Sequence, residues 1–321
     1  MLSLLIRMLP LVLLALAGYV LNRFRWIDAT FNRQLSLIMF NLFYPCLIIS
    51  AIVRNFTWAS LLQNSLVPAG TAGILLTGWL IGLLLRPFLK KHPPETRRSF
   101  HFICLMNNYS FLPILMAASL WGEKAVALII FGSLGAELCV WTLGVATLTG
   151  QKKLSGFLRH VMSLPMGALL FTFMILGVQH FCKQHACIPA EGTLPHEILT
   201  TLLETCRMAG AATIPASALV CGSRIAMLHP SKMFSLLIAG ISTLRLVIIP
   251  ALCIGGLMLI PMSQEIRRVL MLLAVQPAAM VSVPLAEAYG GDAHFTAAAI
   301  LATHILCLVT IPLWLAIALS S

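Results

Sequence analysis

Apolar residues arrive in long runs along this chain, and short polar stretches separate them. A bilayer core of roughly 30 Å takes about 20 apolar residues of helix. Measured on that scale, the pattern predicts ten spans: 3–22, 35–53, 65–85, 101–120, 125–148, 161–181, 198–222, 233–258, 269–288 and 296–318. The predicted fold is an all-α polytopic membrane protein. The first run, Leu2 to Leu21, is long enough to span and lacks the small-residue cleavage site of a signal peptide.

Polar and helix-breaking residues interrupt the runs in a repeated way. Span 2 holds Asn41-Leu42-Phe43-Tyr44-Pro45 and span 7 holds Ala212-Thr213-Ile214-Pro215, with their prolines 170 positions apart. Span 4 holds Asn107-Asn108-Tyr109-Ser110-Phe111-Leu112-Pro113; span 9 holds Gln276-Pro277 and reaches Pro284, 171 positions after Pro113. Five spans precede Gly150 and five follow it, so the second half enters the membrane upside down. This is the inverted-repeat plan of many secondary transporters. The expected division is residues 1–150, a linker at 151–160 and residues 161–321.

Spans 4 and 9 are the two expected to break. Proline removes a backbone donor and clashes with the preceding turn, which frees carbonyls. Lipid cannot satisfy such groups, so they survive only inside protein or beside water. Asn107, Asn108, Tyr109 and Ser110 in span 4, and Gln276 and Ser282 in span 9, add donors and acceptors at that depth. If the breaks cross, half-helix N-termini favour an anion and freed carbonyls a cation. The candidate substrate site is therefore Asn107, Asn108, Tyr109, Ser110, Pro113, Gln276, Pro277, Ser282 and Pro284. Two kinked helices with locally satisfied amides are the other reading.

Composition strengthens the membrane assignment. The 321 residues are 60% hydrophobic and 10% charged, at a mean hydropathy of +0.96. The net charge of +11 is spread in short runs between spans, where basic residues meet headgroups; it is not a nucleic-acid footprint. Thirteen Lys and Arg fall in the loops after spans 1, 3, 5 and 7, and six on the opposite side. The positive-inside rule then puts both termini outside, His92 and Lys153 inside and Ala190 outside. Arg267 and Arg268 run against this trend.

Taken together, these motifs resemble the auxin efflux carrier family, including its bacterial members. The likeness covers nearly the whole chain. It rests on Asn41 to Pro45, Asn108 to Pro113, Pro215, Arg245 with Pro250, Gln276-Pro277-Ala278-Ala279, and the most specific block, Ala286-Glu287-Ala288-Tyr289-Gly290-Gly291-Asp292. The resemblance implies ten helices, a crossing of helices 4 and 9, a bacterial inner-membrane location and transport of organic anions. Bacterial relatives are linked to malonate, malate and similar carboxylates, and plant relatives to auxin. Family members often carry the span-4 proline two positions later, where this chain has Leu115, and the plant carriers' large insert between the halves is absent.

A charge near the bilayer centre costs at least about 2.5–3.5 kcal/mol on insertion scales, so each one needs a reason. Glu137 in span 5 is either a proton or cation site or a carboxyl bonded between helices. His304 in span 10 stands close to the repeat-equivalent position and either takes part in coupling or bonds a backbone carbonyl. Arg245 in span 8 either attracts an anion or anchors packing near Pro250. Glu204 and Arg207, three apart, are expected to pair. Cys182 and Cys187 share an outer loop, as a disulfide or as free thiols; with His180 and His185 they fit no standard metal spacing.

The leading expectation is a secondary transporter for a small organic anion, its coupling open between proton, sodium and none. A sodium-coupled carrier of bile-acid type is the alternative. An intramembrane enzyme is remote, since no HExxH, GxSxG or paired-Asp motif occurs, and there is no Walker A pattern for ATP. No cofactor or nucleic-acid partner is expected. The partners are substrate and bilayer, and the oligomeric state, a homodimer included, is open.

Overall fold

The computed structural model describes residues 2–150, 164–185, 193–227 and 235–320. The expected linker 151–160, with Lys153, and the positions of Cys187 and Ala190 lie outside the described residues. Among the described residues the regular structure is helical, and the one β-bridge joins Asn107 to Ala278.

Each apolar run becomes helix. Apart from the short helix Trp58–Gln63 and the 3-10 turn Arg86–Leu89, the elements are α1 (Leu2–Arg23), α2 (Ala29–Asn55), α3 (Leu66–Leu85), α4 (Pro94–Leu105), α5 (Phe111–Trp121), α6 (Glu123–Thr149) and α7 (Leu164–Gln184), followed by α8 (Leu194–Ala211), α9 (Thr213–Met227), α10 (Leu236–Leu259), α11 (Gln264–Ala274), α12 (Ser282–Ala288) and α13 (Ala293–Ser320). Among the described residues, six stretches are long and apolar enough to cross a membrane: Ala29–Asn55, Trp58–Leu89, Glu123–Thr149, Leu164–Gln184, Leu236–Leu259 and Ala293–Ile317. Leu13–Arg23 and Phe111–Trp121 are shorter apolar helices. The fourth and ninth runs are split by stretches of several residues, into α4 and α5 and into α11 and α12, and the seventh is interrupted at Ala212, between α8 and α9.

Local chemistry sets the ends. Asp28 accepts from the Phe31 amide and starts α2; Ser235 and Ser263 cap α10 and α11 in the same way. Gly122, at φ +79°, turns the chain between α5 and α6. Burial explains the rest. On α7, Leu170, Phe171, Met174 and Val178 are exposed while Leu169, Thr172 and Leu176 are buried. An apolar outer face of this kind belongs against lipid.

Small residues let the helices close up. A Cβ on Gly18 of α1 would run into the Leu219 carbonyl of α9, and one on Gly222 into the Ala15 carbonyl. Close backbone approach is what glycine supplies at membrane helix interfaces.

Polar contacts mark the two ends of the bundle. At one end, Arg98 donates to the Gly290 carbonyl at 2.7 Å and Thr96 to Asp292 at 2.7 Å. Asp292 also caps α13 by accepting from the Phe295 amide at 2.9 Å. Gly290 stands at φ +75°, so this glycine–glycine–aspartate turn is built to end α12 and restart the chain. At the other end, Lys124 pairs with Glu265 at 2.6 Å, and Glu204 lies between Arg207 and Arg54. The expected pairing of Glu204 with Arg207 is present, on an exposed helix face. Exposed pairs contribute little stability and here simply locate the ends.

Candidate functional site

The two broken helices meet in the middle of the bundle. Residues 106–110 separate α4 from α5, and residues 275–281 separate α11 from α12. The Asn108 amide donates to the Pro277 carbonyl at 2.8 Å, so the breaks lie antiparallel and hydrogen-bonded. The Asn107 side chain donates to the Leu273 carbonyl at 2.7 Å, and the Ala278 amide to Thr303 Oγ1 at 3.4 Å. Much of the freed backbone therefore finds partners in protein.

Pro113 and Pro284 do not sit at the breaks themselves. Each is the third residue of the following half-helix, Phe111-Leu112-Pro113 and Ser282-Val283-Pro284. A first-turn proline costs no intrahelical bond, because its N–H would be unpaired there anyway. The break in span 4 is made by Met106 to Ser110, and the proline restarts the helix.

Arg245 holds the opposite half-helices. It is fully buried, and its two terminal nitrogens donate to the carbonyls of Cys104, at 3.1 Å, and Ala274, at 3.2 Å. These carbonyls lie at the C-terminal ends of α4 and α11, where a helix carries partial negative charge. One guanidinium thus meets both. Hydrogen bonds to a charged donor contribute about 1.5–3 kcal/mol each, enough in pairs to offset an insertion cost of about 2.5–3.5 kcal/mol. Arg245 stands in a π-helical segment, Leu244–Ile248, within α10. Its hydrogen bonds go to the ends of both broken helices at the crossing.

Beside the crossing lies a cavity of about 430 Å³. Of the expected site residues, it brings together Asn108, Tyr109, Ser110 and Glu137. Glu137 accepts from the Tyr109 hydroxyl at 3.0 Å and from Trp141 Nε1 at 2.7 Å. The first turn of α5, Phe111 and Leu112, opens onto this cavity, and its N-cap Ser110 makes no side-chain capping bond. The amides of a first helical turn have no intrahelical partner, so the cavity receives the positive end of α5. Apolar surface from Phe40, Leu115, Trp141 and Met280 completes it. Among the described lining residues there is one carboxylate and no Lys or Arg.

The other expected residues stand behind this wall. Asn107 and Gln276 are fully buried, and Gln276 donates to the Leu272 carbonyl at 2.9 Å. Asn107 Oδ1, Gln276 Oε1 and Ser282 Oγ are buried without a hydrogen-bond partner. The Pro277 carbonyl is used by Asn108. Pro284 contributes backbone to α12. His304 is buried on α13; its Nδ1 faces the Ile300 carbonyl at 2.9 Å and must donate, while Nε2 has no partner.

Other lining residues carry no mark in the sequence as site residues: Tyr44 and Asn41 on α2, Ser217 on α9 and Trp141 on α6. Trp141 was the most findable, since it lies four residues after Glu137 on the same helix face. Asn41 and Trp141 fall in π-helical segments, Met39–Phe43 and Val140–Gly144. Such segments concentrate at functional sites.

A family profile described as membrane transport protein matches residues 3–159 and, a second time, residues 157–315. Together the two matches take in nearly the whole chain. Among curated proteins, none matches the sequence.

Proposed function

The chain belongs to the membrane transport protein family of the auxin efflux carriers, and from that premise we propose that it is a secondary transporter carrying a small organic anion by alternating access at the helix crossing. The observation that carries this reading is the N-terminus of α5, which opens onto the cavity between Asn108 and Ser110 and across from Glu137. Unpartnered amides on a positive helix end suit a carboxylate. The apolar walls suit a substrate with a hydrocarbon or aromatic body.

Coupling follows from charge. Anion and ionised Glu137 in one cavity repel, so the anion binds with a proton on Glu137. Substrate and proton then cross together. A sodium-coupled mechanism would use freed carbonyls at the crossing, but those of Cys104 and Ala274 face the Arg245 guanidinium, whose charge repels a cation. This favours the proton. The proposed topology has ten membrane helices in two inverted halves, 1–150 and 161–321, with both termini outside.

Flux into proteoliposomes, measured against a panel of carboxylates with imposed proton or sodium gradients, tests the proposal. Accumulation driven by a proton gradient is expected. Accumulation that needs sodium and ignores pH would replace proton coupling with the sodium mechanism, and no carboxylate flux would remove the anion assignment.

A further inference from the structure

A second cavity, of about 480 Å³, opens where α3 ends, α4 begins and α6 ends. It shares no lining residue with the cavity at the crossing. Its wall is basic, carrying Arg86, Arg97, Arg98 and His101 beside Trp79 and Thr147. Arg86 opens the short 3-10 turn that follows α3, and Arg97 and Arg98 stand at the start of α4. Three guanidiniums on one cavity repel each other unless an anion joins them.

No carboxylate among the described residues supplies that anion. Among the described residues, the ion pairs are Arg54 and Arg207 with Glu204 and Lys124 with Glu265, and none involves Arg86, Arg97 or Arg98. Arg98 commits one nitrogen to the Gly290 carbonyl, while its Nε is buried without a partner. The N-cap of α4, Pro93, makes no side-chain bond, so the helix also brings unpartnered amides to this end. The wall is fixed in place: Trp79 Nε1 donates to Thr147 Oγ1 at 3.0 Å, and His101 Nε2 meets the Trp79 carbonyl at 2.9 Å.

We propose that this cavity binds a phosphate oxyanion, carried either by an anionic lipid headgroup or by a soluble phosphate compound. Planar guanidinium forks match phosphate oxygens in pairs, which a point-like ammonium does not. Leu84 and Phe88, on either side of Arg86, are 73% and 80% exposed, which sets the arginine at the boundary between lipid tails and headgroups. Basic pockets between helices at that level take phosphate-bearing headgroups. Because Arg98 also holds the turn between α12 and α13, an anion here touches the chain segment that leads out of the crossing.

The test uses the full chain in nanodiscs and reads binding, so it stands apart from any transport result. One arm compares phosphatidylcholine alone with phosphatidylcholine plus phosphatidylglycerol, by lipid retention in native mass spectrometry and by melting temperature. The other arm titrates inorganic phosphate into phosphatidylcholine discs. In the native chain, phosphatidylglycerol or phosphate should bind and raise the melting temperature; the arm that responds identifies the source. Arg86→Gln and Arg97→Gln should each weaken that binding about fivefold, while Arg23→Gln, outside the cavity, should leave it unchanged. Failure of both probes to bind the native chain overturns the proposal. So does undiminished binding in a folded Arg86→Gln, Arg97→Gln double variant.

Discussion

The Tyr109 hydroxyl, on the broken stretch between α4 and α5, donates to Glu137 on α6 at 3.0 Å. This bond ties the carboxylate of the cavity to the backbone that makes the crossing. With Trp141 as second donor, both carboxyl oxygens have a partner within the protein.

Glu137→Gln should fold, because an amide oxygen can still accept from Tyr109 or Trp141. Its transport should lose the pH dependence of the native chain, since the group that gives up the proton is gone. Uptake in proteoliposomes across a series of external pH values checks this. An unchanged profile would make Glu137 a structural carboxylate and move coupling elsewhere.

Arg245→Ala should fail at the level of folding. It removes two charge-assisted bonds of about 1.5–3 kcal/mol each and leaves the Cys104 and Ala274 carbonyls unpaired in the core. Arg245→Lys, which keeps the charge but loses the fork, should recover part of the thermal stability. Melting temperatures of the purified variants decide the matter. Native stability in Arg245→Ala would mean that the crossing holds without its guanidinium.

Asn108 and Gln276 look alike in sequence, one polar amide in each broken helix, and both were expected to bind substrate. The structure separates them. Asn108→Ala should weaken substrate affinity roughly ten- to hundredfold, the worth of a hydrogen bond to a charged group. Gln276→Ala should change stability more than affinity, because its side chain is buried against Leu272 and Met116. Binding isotherms and melting curves on the two variants distinguish the effects. Equal losses of affinity would place Gln276 in the substrate's path after all.

Cysteine labelling in a Cys-free background tests the topology. Positions 92 and 289 should react from the same side, since Arg98 joins α4 to Gly290, and position 124 from the other. Reaction at 92 from outside would invert the proposed orientation.

Much of this architecture was legible in the sequence for a simple reason: hydrophobic length and polar interruption are local properties. Among the described residues the apolar runs are helical, and the chain breaks around Asn107 and Gln276, where the polar residues interrupt them. Contacts made at a distance were not legible. Arg245 reaches carbonyls 141 and 29 residues away, and nothing in its own helix says so. Tyr44 and Ser217 enter the cavity from helices whose motifs read only as proline kinks. The three π-helical segments among the described residues also have no composition of their own, since an added residue in the turn follows from packing. Even the prolines were misleading in detail. Pro113 and Pro284 stand in the first turns of the second half-helices, while Pro277 lies in the break itself.

The guanidinium at the crossing also makes this protein an electrical object. Arg245 is a positive charge without a carboxylate partner among the described residues, fixed to both broken helices in the middle of the bundle. Moving one such charge through the full membrane field takes about 2.3 kcal/mol per 100 mV. Any conformational step that shifts the crossing along the membrane normal does a share of that work. The rate of that step therefore depends on membrane voltage even when anion and proton together carry no net charge across.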